Sequence, residues 1–256
     1  MRKLLIDAGN TRLKWAMLRD GRPGRVHAIA WTERSALRCA RRVFAAGGDG
    51  ALVCSVAGTV LEGALRRAAR AAGCPAPQFI RSTRRAGGVR NGYAQTWRLG
   101  ADRWVAMLGA RALYPGRALC VVDIGTALTL DLLDGEGRHR GGLLTPGPTL
   151  MMDALLAHTS GIRRRAGPAA GLRLRRAARP RAFGRSTQAG LRSGSVMACA
   201  ALIERALREA RIELGARPQL LLAGGAAGPV AALLQVPHRR VDDLVLRGLG
   251  LLASLE

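Results

Sequence analysis

The alternation of apolar and polar positions divides the chain into short strands and amphipathic helices. Near its start, the apolar run 4–6 leads into Asp7, a tight corner follows at 8–11, and apolar residues then recur at every second position. This pattern predicts a buried strand, a sharp turn and a second strand. Gly9 lets the chain reverse, and we expect the backbone N–H groups of this corner to be exposed.

The same design recurs much later in the chain. The apolar run 119–122 ends at Asp123, the corner 124–126 follows, and alternating residues come next. Two copies of one supersecondary unit indicate a repeated architecture, and we expect the two corners to face each other across a cleft. A third apolar run, 220–223, ends in two glycines, where the backbone could approach a flat ring or a ribose closely.

The first part of the chain is predicted to form a three-stranded meander, and helices then alternate with strands. This order fits a ribonuclease-H-like lobe. Residues 84–98 are rich in Gly and Arg and are predicted to form a loop. Pro115 and Gly116 break the chain after a helix, so the predicted domains are 1–115 and 116–256. Strands are predicted at 26–31, 51–56 and 78–80, and helices at 35–46, 61–72, 101–113, 187–211 and 244–252.

Composition adds that the core is large and aliphatic. The chain has 256 residues, of which 48% are hydrophobic but only 4% aromatic. The five cysteines are scattered without C-x-x-C spacing, so neither a disulfide framework nor a zinc site is expected, and Cys54 and Cys120 read as small core residues. Asp7 interrupts the first apolar run too early for a signal peptide, and no run approaches a membrane span. A cytoplasmic protein without a membrane partner is therefore expected.

The formal net charge of +24 has two explanations. Nearly all basic residues are arginine, because lysine occurs only at Lys3 and Lys14, and GC-rich coding sequences produce this bias. A nucleic-acid partner is the rival explanation, but interleaved aromatic residues, a zinc motif and a recognisable reading helix are all missing. Nucleic acid is therefore not the expected partner. The arginine-rich stretch 163–181 is predicted to be a mobile, solvated loop, with nucleic-acid contact as the alternative.

The corner after the first strand offers backbone amides, the Thr11 hydroxyl and the Asp7 carboxylate. This set suits a nucleotide polyphosphate with its divalent cation, although Asp-x-Gly-Asn is also ordinary turn chemistry. The chain has neither a G-x-x-x-x-G-K-[ST] loop nor the protein-kinase signature motifs. If it binds ATP, the two corners must therefore supply the phosphate contacts.

Three motifs together resemble the type III pantothenate kinases, a family that includes the Bvg accessory factors and belongs to the acetate and sugar kinase, Hsp70 and actin superfamily. The motifs are Asp7-Ala-Gly-Asn-Thr11, Gly100-Ala-Asp-Arg103 and Asp123-Ile-Gly-Thr-Ala127, and the resemblance covers essentially the whole chain. It implies an α/β fold of two tandem ribonuclease-H-like lobes, with mixed sheets flanked by helices. It also implies ATP-dependent phosphorylation of pantothenate to 4'-phosphopantothenate, the first step of coenzyme A biosynthesis.

The resemblance assigns ATP and its cations to the two corners. Asp7 would hold Mg²⁺, and Asp123 would belong to a site for K⁺ or NH₄⁺, although from the residues alone Asp123 could equally be a second Mg²⁺ ligand. Lys14 would contact a phosphate, although it could equally be a solvated strand residue. In the second corner, Thr126 would contact ATP together with the Gly125 amide. The implied ATP contacts are Asp7, Ala8, Gly9, Asn10, Thr11, Arg12, Leu13, Lys14 and Thr126.

The pantothenate contacts implied by the resemblance are Tyr93, Gly100, Ala101, Asp102, Arg103 and Thr187. Asp102 would be the general base, since such a base must lie within hydrogen-bond reach of the hydroxyl; its alternative is an N-cap aspartate. Arg103 would pair with the transferred phosphate or the pantothenate carboxylate, or else be a helix-surface arginine. Tyr93 could simply pack its loop. Thr187 would reach the site of a partner subunit, which implies a homodimer.

Two rival functions stay open at this point. The fold could serve a transcriptional accessory protein that binds nucleic acid through the 163–181 arginines, in which case binding would depend on salt. The chain could also be a kinase of another small hydroxyl compound. None of the four histidines lies in a motif, and His158 is expected to be a helix-end residue.

Overall fold

The computed structural model describes residues 2–167 and 182–255, which form two compact units. Within these ranges, the first unit consists of residues 2–117, 135–139 and 243–255, and the second consists of 118–134, 140–167 and 182–242. The first unit therefore gains two short segments from the later part of the chain. The domain boundary between residues 115 and 116 stays a prediction.

The first unit is built on a mixed sheet whose spatial strand order is β3-β2-β1-β5-β6, with β4 also pairing with β2. β1 pairs antiparallel with β2 but parallel with β5, and β5 pairs parallel with β6. A meander followed by parallel strands is the predicted ribonuclease-H-like arrangement. The strands are β1 (Lys3–Ala8), β2 (Arg12–Arg19), β3 (Arg22–Pro23), β4 (His27–Ala30), β5 (Gly50–Ser55) and β6 (Gln78–Ile80).

Successive side chains of each strand point to opposite faces of this sheet, and helices pack on both faces. Leu4, Ile6 and Ala8 point to the face covered by α1 (Ala36–Phe44) and α2 (Gly58–Ala71), where they form one aliphatic core. Leu5 and Asp7 point to the opposite face. That face is covered by two further helices, α3 (Ala101–Leu113) and the C-terminal helix α8 (Leu244–Ser254).

Helices α3 and α8 pack at very short range because glycines meet at their crossing. A Cβ atom on Gly109 of α3 would collide with the Leu244 carbonyl oxygen and lie 2.9 Å from the Gly248 nitrogen of α8. A Cβ atom on Gly248 would in turn collide with the Val105 carbonyl oxygen of α3. The two helices therefore approach backbone to backbone, which places the N-terminal turn of α3 firmly on the sheet.

The predicted loop 84–98 is wrong in part, because a small hairpin forms inside it. β7 (Arg85–Ala86) pairs antiparallel with β8 (Val89–Arg90). Gly87 and Gly88 join these strands, with φ values of 50° and 75°. A two-residue turn of this kind requires positive φ at both positions, and adjacent glycines supply it at little cost. A short 3₁₀ turn follows at Thr96–Arg98.

The second unit repeats the plan with a five-stranded sheet in the order β11-β10-β9-β12-β13. β9 pairs antiparallel with β10, while β12 pairs parallel with β9 and β13. The apolar core lies between this sheet and helices α6 and α7. The elements are β9 (Leu119–Ile124), β10 (Ala127–Leu133), β11 (His139–Pro146), α4 (Pro148–His158), α5 (Ser160–Ala166), α6 (Thr187–Leu214), β12 (Gln219–Ala223), α7 (Ala227–Ala231) and β13 (His238–Arg240).

The arginine-rich stretch 163–181 is only partly described. Residues 163–166 are the last turn of α5 rather than part of a loop, which corrects the prediction at that end, and Arg163 donates to the carbonyls of Leu156 and Ala157. Residues 168–181, and with them the predictions of mobility and nucleic-acid contact, lie outside the described residues. His158 ends α4 as predicted. None of the helices in the described ranges combines the length and the apolar character needed to cross a membrane.

We predict that Gly109→Ala destabilises the protein by about 1–3 kcal/mol, the usual cost of forcing extra atoms into a packed core. Gly63→Ala is the matched control, because Gly63 lies in α2 and a Cβ there would meet only the flexible end of Arg67 at 3.4 Å. This control should be neutral or stabilising by up to about 1 kcal/mol. Urea unfolding followed by circular dichroism measures both, and equal midpoints for the two variants would contradict the close helix crossing.

Candidate active site

The corner of the first hairpin is closed by its own backbone. The Gly9 N–H donates to the Arg12 carbonyl at 3.0 Å, and the Trp31 indole N–H donates to the Gly9 carbonyl at 2.8 Å. The Gly9 amide is therefore not exposed as expected, because it completes the turn; the contact of Gly9 with ATP stays a prediction. Asn10 and Thr11 are exposed at the tip and remain accessible to a ligand.

Asp7 lies near the end of β1 between two neighbouring strands. Its backbone is in register with Lys14 of β2 on one side and with Cys54 of β5 on the other. Residues directly opposite in adjacent strands project to the same face, so these three side chains lie on the α3 and α8 side of the sheet. Ala8 and Leu13, by contrast, are fully buried in the other core, so only their main chain could contact ATP.

Asp102 lies in the first turn of α3, and Gly100 rather than Asp102 is the N-cap residue. The alternative of an N-cap aspartate is therefore wrong. One carboxylate oxygen of Asp102 accepts the backbone N–H of Arg103 at 2.8 Å, which orients the side chain at the helix start. Gly100 is close to this carboxylate, since a Cβ atom there would lie 2.6 Å from the same oxygen.

Cys54 links the two candidate acids. Burial raises the pKa of the Cys54 thiol well above its ordinary value, and the carboxylates of Asp7 and Asp102 raise this pKa further. Asp7 and Cys54 are register partners on the sheet face that α3 covers, and Asp102 lies in the first turn of α3. The two acids therefore belong to elements that meet at one face of the first sheet, although they lie almost a hundred positions apart in the sequence.

Lys14 forms an ion pair that the sequence did not predict. Its ammonium group lies 3.3 Å from a carboxylate oxygen of Asp243, and both side chains are about three-quarters buried. Asp243 precedes α8 in a left-handed conformation with a φ of 62°. The alternative of a freely solvated lysine is therefore wrong, and the charge of Lys14 is held beside the strand that carries Asp7.

Arg103 is buried rather than on a helix surface, which corrects that alternative. Its side chain is 6% exposed, and one guanidinium nitrogen donates to the Tyr93 hydroxyl at 3.0 Å. The other side of the Tyr93 region is formed by His139, whose ring stacks on the Tyr93 ring with centroids 5.7 Å apart and an interplanar angle of 12°. Tyr93 therefore contacts an arginine ten positions away and a histidine that lies far from it in the sequence.

The corner of the second hairpin is built like the first. The Gly125 N–H donates to the Ala127 carbonyl at 2.9 Å. This amide therefore closes the turn, and its contact with ATP stays a prediction. Thr126 is exposed at the tip, and its carbonyl accepts the Gly147 N–H at 2.8 Å. A Cβ atom on Gly147 would collide with the Gly125 carbonyl, so the start of α4 packs directly on this corner.

Asp123 lies at the end of β9, next to the glycine pair after β12. A Cβ atom on Gly224 would collide with both a carboxylate oxygen of Asp123 and the Ile124 carbonyl oxygen. The Asp123 carboxylate and the Ile124 carbonyl therefore pack so closely on Gly224 that no side chain could be accommodated there. Thr187 lies elsewhere in the second unit, as the half-buried first residue of α6 after the N-cap Ser186.

The candidate site residues divide between the two units. Asp7, Lys14, Tyr93, Asp102 and Arg103 belong to the first unit, whereas Asp123, Thr126 and Thr187 belong to the second. Sequence reasoning missed His139, Gly147 and Asp243. His139 and Asp243 carry no local motif, and only Gly147, beside Pro146 and Pro148, offered a signal of a special backbone position.

Residues 2–167 and 182–255 contain no group of three or more His, Cys, Asp or Glu side chains arranged around a metal site. A Mg²⁺ ion at substrate phosphates needs only one or two carboxylates, because phosphate oxygens and water complete its shell. Asp7, at the strand end beside the exposed corner, fits that role.

The fold is that of the actin-like ATPases and sugar kinases, and each unit of this chain carries a mixed sheet with a tight corner after one of its strands. The chain is similar to MreB5 of Spiroplasma citri bound to AMPPNP, with a TM-score of 0.54, 10% identity, and coverage of 99% of this chain and 96% of that one. It is also similar to (R)-2-hydroxyglutaryl-CoA dehydratase component A of Acidaminococcus fermentans, with a TM-score of 0.55, 15% identity, and coverage of 98% and 96%. These likenesses confirm the predicted fold class.

Sequence comparison identifies the family within this class. Residues 3–209 match the model of the type III pantothenate kinases. The chain is 39% identical to the type III pantothenate kinase of Burkholderia thailandensis, covering 98% of this chain and 97% of the relative. It is 40% identical to that of Aromatoleum aromaticum, covering 98% and 97%. The chain belongs to the type III pantothenate kinase family, which confirms the resemblance seen in its motifs.

We predict that Cys54 is less reactive than Cys74, because only the thiolate is alkylated and burial together with a raised pKa keeps the Cys54 thiol protonated and inaccessible. Cys74 is the matched comparison, since its pKa is also raised by burial and by Asp49 but its side chain is 9% exposed. In native protein at pH 8, iodoacetamide should modify Cys74 before Cys54, and Cys54 should react rapidly only in urea. Peptide mass spectrometry measures both rates, and equal native rates would contradict the placement of Cys54.

Proposed function

We propose that this enzyme phosphorylates pantothenate with Asp102 as the general base and with Mg²⁺ held at Asp7. Membership of the family makes the chain an ATP-dependent pantothenate kinase, which acts at the start of coenzyme A biosynthesis. The observation that carries the residue assignment is that Asp7 projects from the sheet face covered by α3, the helix whose first turn holds Asp102. It supports a site in which the acid for the metal and the acid for the proton lie in one neighbourhood.

Asp102 is suited to proton abstraction by its position. The Arg103 N–H fixes one oxygen of the carboxylate at the start of α3, and the glycine crossing with α8 holds that helix on the sheet. A base must be held within hydrogen-bond reach of the hydroxyl it deprotonates. Asp102 would accept the proton of the pantothenate hydroxyl as that oxygen attacks the γ-phosphorus of ATP and the bond to ADP breaks.

Arg103 and Tyr93 would bind pantothenate beside this base. The buried guanidinium is already oriented by its bond to the Tyr93 hydroxyl, so little side-chain freedom is lost when an anion binds. Arg103 would pair with the pantothenate carboxylate or the transferred phosphate, and Tyr93 would contact the substrate. Gly100 and Ala101 would contribute the backbone at the start of α3.

ATP would be contacted by the exposed residues at the tip of each corner and by the side chain of Lys14. Asn10, Thr11 and Arg12 are exposed on the first corner, and Lys14 supplies a positive charge on the face that carries Asp7. In the second unit Thr126 is exposed at the equivalent tip. Magnesium, when bound, neutralises charge on the transferring phosphoryl group.

Asp123 would hold the monovalent cation, K⁺ or NH₄⁺. Its carboxylate is a hard oxygen ligand and lies near the end of β9, beside the exposed corner of the second unit. Gly224 would help to keep this carboxylate in place, because a side chain at that position would collide with it.

We predict that Asp102→Asn lowers the turnover of pantothenate by about 10²–10⁴-fold, the usual contribution of a general base. ATP affinity should stay within about twofold, because the substitution removes no phosphate contact. Asp20→Asn is the control, since Asp20 lies exposed in the turn before β3. A coupled ADP-release assay with pantothenate, run with and without potassium, measures turnover. Full activity of Asp102→Asn would remove Asp102 from the mechanism.

A homodimer would complete the site through Thr187. The residue lies in the second unit, at the start of the long helix α6, and the family resemblance assigns it to the pantothenate site of the other subunit. A C₂ dimer would then carry two equivalent sites, each formed from both chains. Asp102 and Thr187 of any one site would come from different subunits.

This arrangement predicts complementation between two inactive variants. Asp102→Asn removes the base, and Thr187→Tyr fills the substrate position with a ring. In a mixed dimer one site would receive both defects and the other would receive neither. After subunit exchange of equal amounts, activity should recover to about a quarter of wild type, because half of the dimers are mixed. Each variant incubated alone is the control, and no recovery despite exchange would contradict a site shared between subunits.

A further inference from the structure

His139 lies directly beneath Tyr93. Its side chain is 4% exposed and its ring is nearly parallel to the tyrosine ring, at 12° and a centroid separation of 5.7 Å. Arg103 lies 5.7 Å from the Tyr93 ring centroid and donates to the hydroxyl. Tyr93 is therefore held by a buried flat ring and by a buried cation, so its own orientation is strongly restricted.

The backbone that carries His139 is fixed to the first unit at several points. The Gly137 carbonyl accepts the Arg90 N–H at 2.9 Å, and the Gly135 carbonyl accepts a guanidinium hydrogen of the buried Arg111 at 3.2 Å. A Cβ atom on Gly92 would collide with the His139 carbonyl oxygen. Segment 135–139 thus packs against the Tyr93 loop, whereas the residues on either side of it belong to the second unit.

The Tyr93 loop is also fixed from its own side. The Asn91 side-chain oxygen accepts the Tyr93 N–H at 2.9 Å, and its amide nitrogen donates to the Thr83 carbonyl at 3.2 Å. The main chain at Tyr93 is therefore set by Asn91, and what remains free is the rotation of the side chain. Stacking on a flat, immobile ring restricts that rotation.

We infer that His139 is a positioning residue for pantothenate binding, which sets the orientation of the Tyr93 ring through the stack. This inference rests on the proposed substrate role of Tyr93. His139 itself does not touch substrate, because it is buried behind the tyrosine. Its contribution is to limit the orientations of Tyr93 before pantothenate arrives, so that binding loses less conformational freedom.

The test compares two substitutions that fill the same space. His139→Phe keeps a flat ring under Tyr93, whereas His139→Leu keeps apolar volume without one. His139→Leu should raise the pantothenate KM by about two- to tenfold, as expected for the loss of one aromatic pair. His139→Phe should restore the wild-type value. The KM for ATP and the thermal unfolding midpoint should be the same in the two variants. A difference confined to the pantothenate KM would then reflect the orientation of Tyr93 and not the stability of the fold.

A double-mutant cycle closes the experiment. In a Tyr93→Ala background, His139→Leu should change the pantothenate KM by less than about twofold, since the residue through which it acts is gone. Equal KM values for His139→Leu, His139→Phe and wild type would overturn the inference and leave the kinase assignment intact. A wild-type enzyme without pantothenate-dependent turnover, or an unchanged KM in Tyr93→Ala, would overturn both the inference and the proposed role of Tyr93.

Discussion

The pairing register of β1 is the constraint on which the first unit depends. β1 lies between β2 and β5, and this register points Ile6 and Ala8 into one core while Asp7 faces the helices that carry the chemistry. A slip by one residue would exchange the two faces, burying the carboxylate among aliphatic side chains and exposing the apolar ones. The hydrophobic pattern of the strand therefore fixes the position of the candidate metal ligand. The strand β9 fixes Asp123 by the same means in the second unit.

The sheet alone does not place Asp102, the proposed base, and the packing of helices completes the arrangement. Asp102 begins α3, and α3 is held by the backbone contact of Gly109 and Gly248 with α8. α8 comes from the end of the chain, and the residue before it, Asp243, pairs with Lys14 on the strand next to Asp7. A C-terminal segment therefore supports both the helix that carries Asp102 and the lysine beside the strand of Asp7. A change in that segment would therefore lower the stability of the protein and its catalytic activity together.

Local chemistry explains which parts of this enzyme could be predicted from its sequence. Asp7, Asp102 and Asp123 each end a strand or begin a helix within a short motif, and the boundaries of β6 and α3 follow from the apolar period and its breakers. Two kinds of feature could not be predicted from the sequence. The amides of Gly9 and Gly125 close their turns instead of being exposed, because a tight hairpin satisfies its own backbone first. His139 and Asp243 act on residues far away in the chain, and no local pattern records a contact of that kind.

The arginine content shows why burial, rather than composition, identifies the functional residues. A biased composition places guanidinium groups over the whole surface, so an additional surface arginine is not evidence of a site. A buried guanidinium stays charged and needs hydrogen-bond acceptors to offset its desolvation. In the described part of the chain, the buried arginines are Arg103 and Arg111. One donates to the Tyr93 hydroxyl and the other to the segment that carries His139. Both buried arginines therefore lie in the region around Tyr93, one by direct contact and the other through the segment that carries His139. The desolvation of these two guanidinium groups is offset by hydrogen bonds that fix this region.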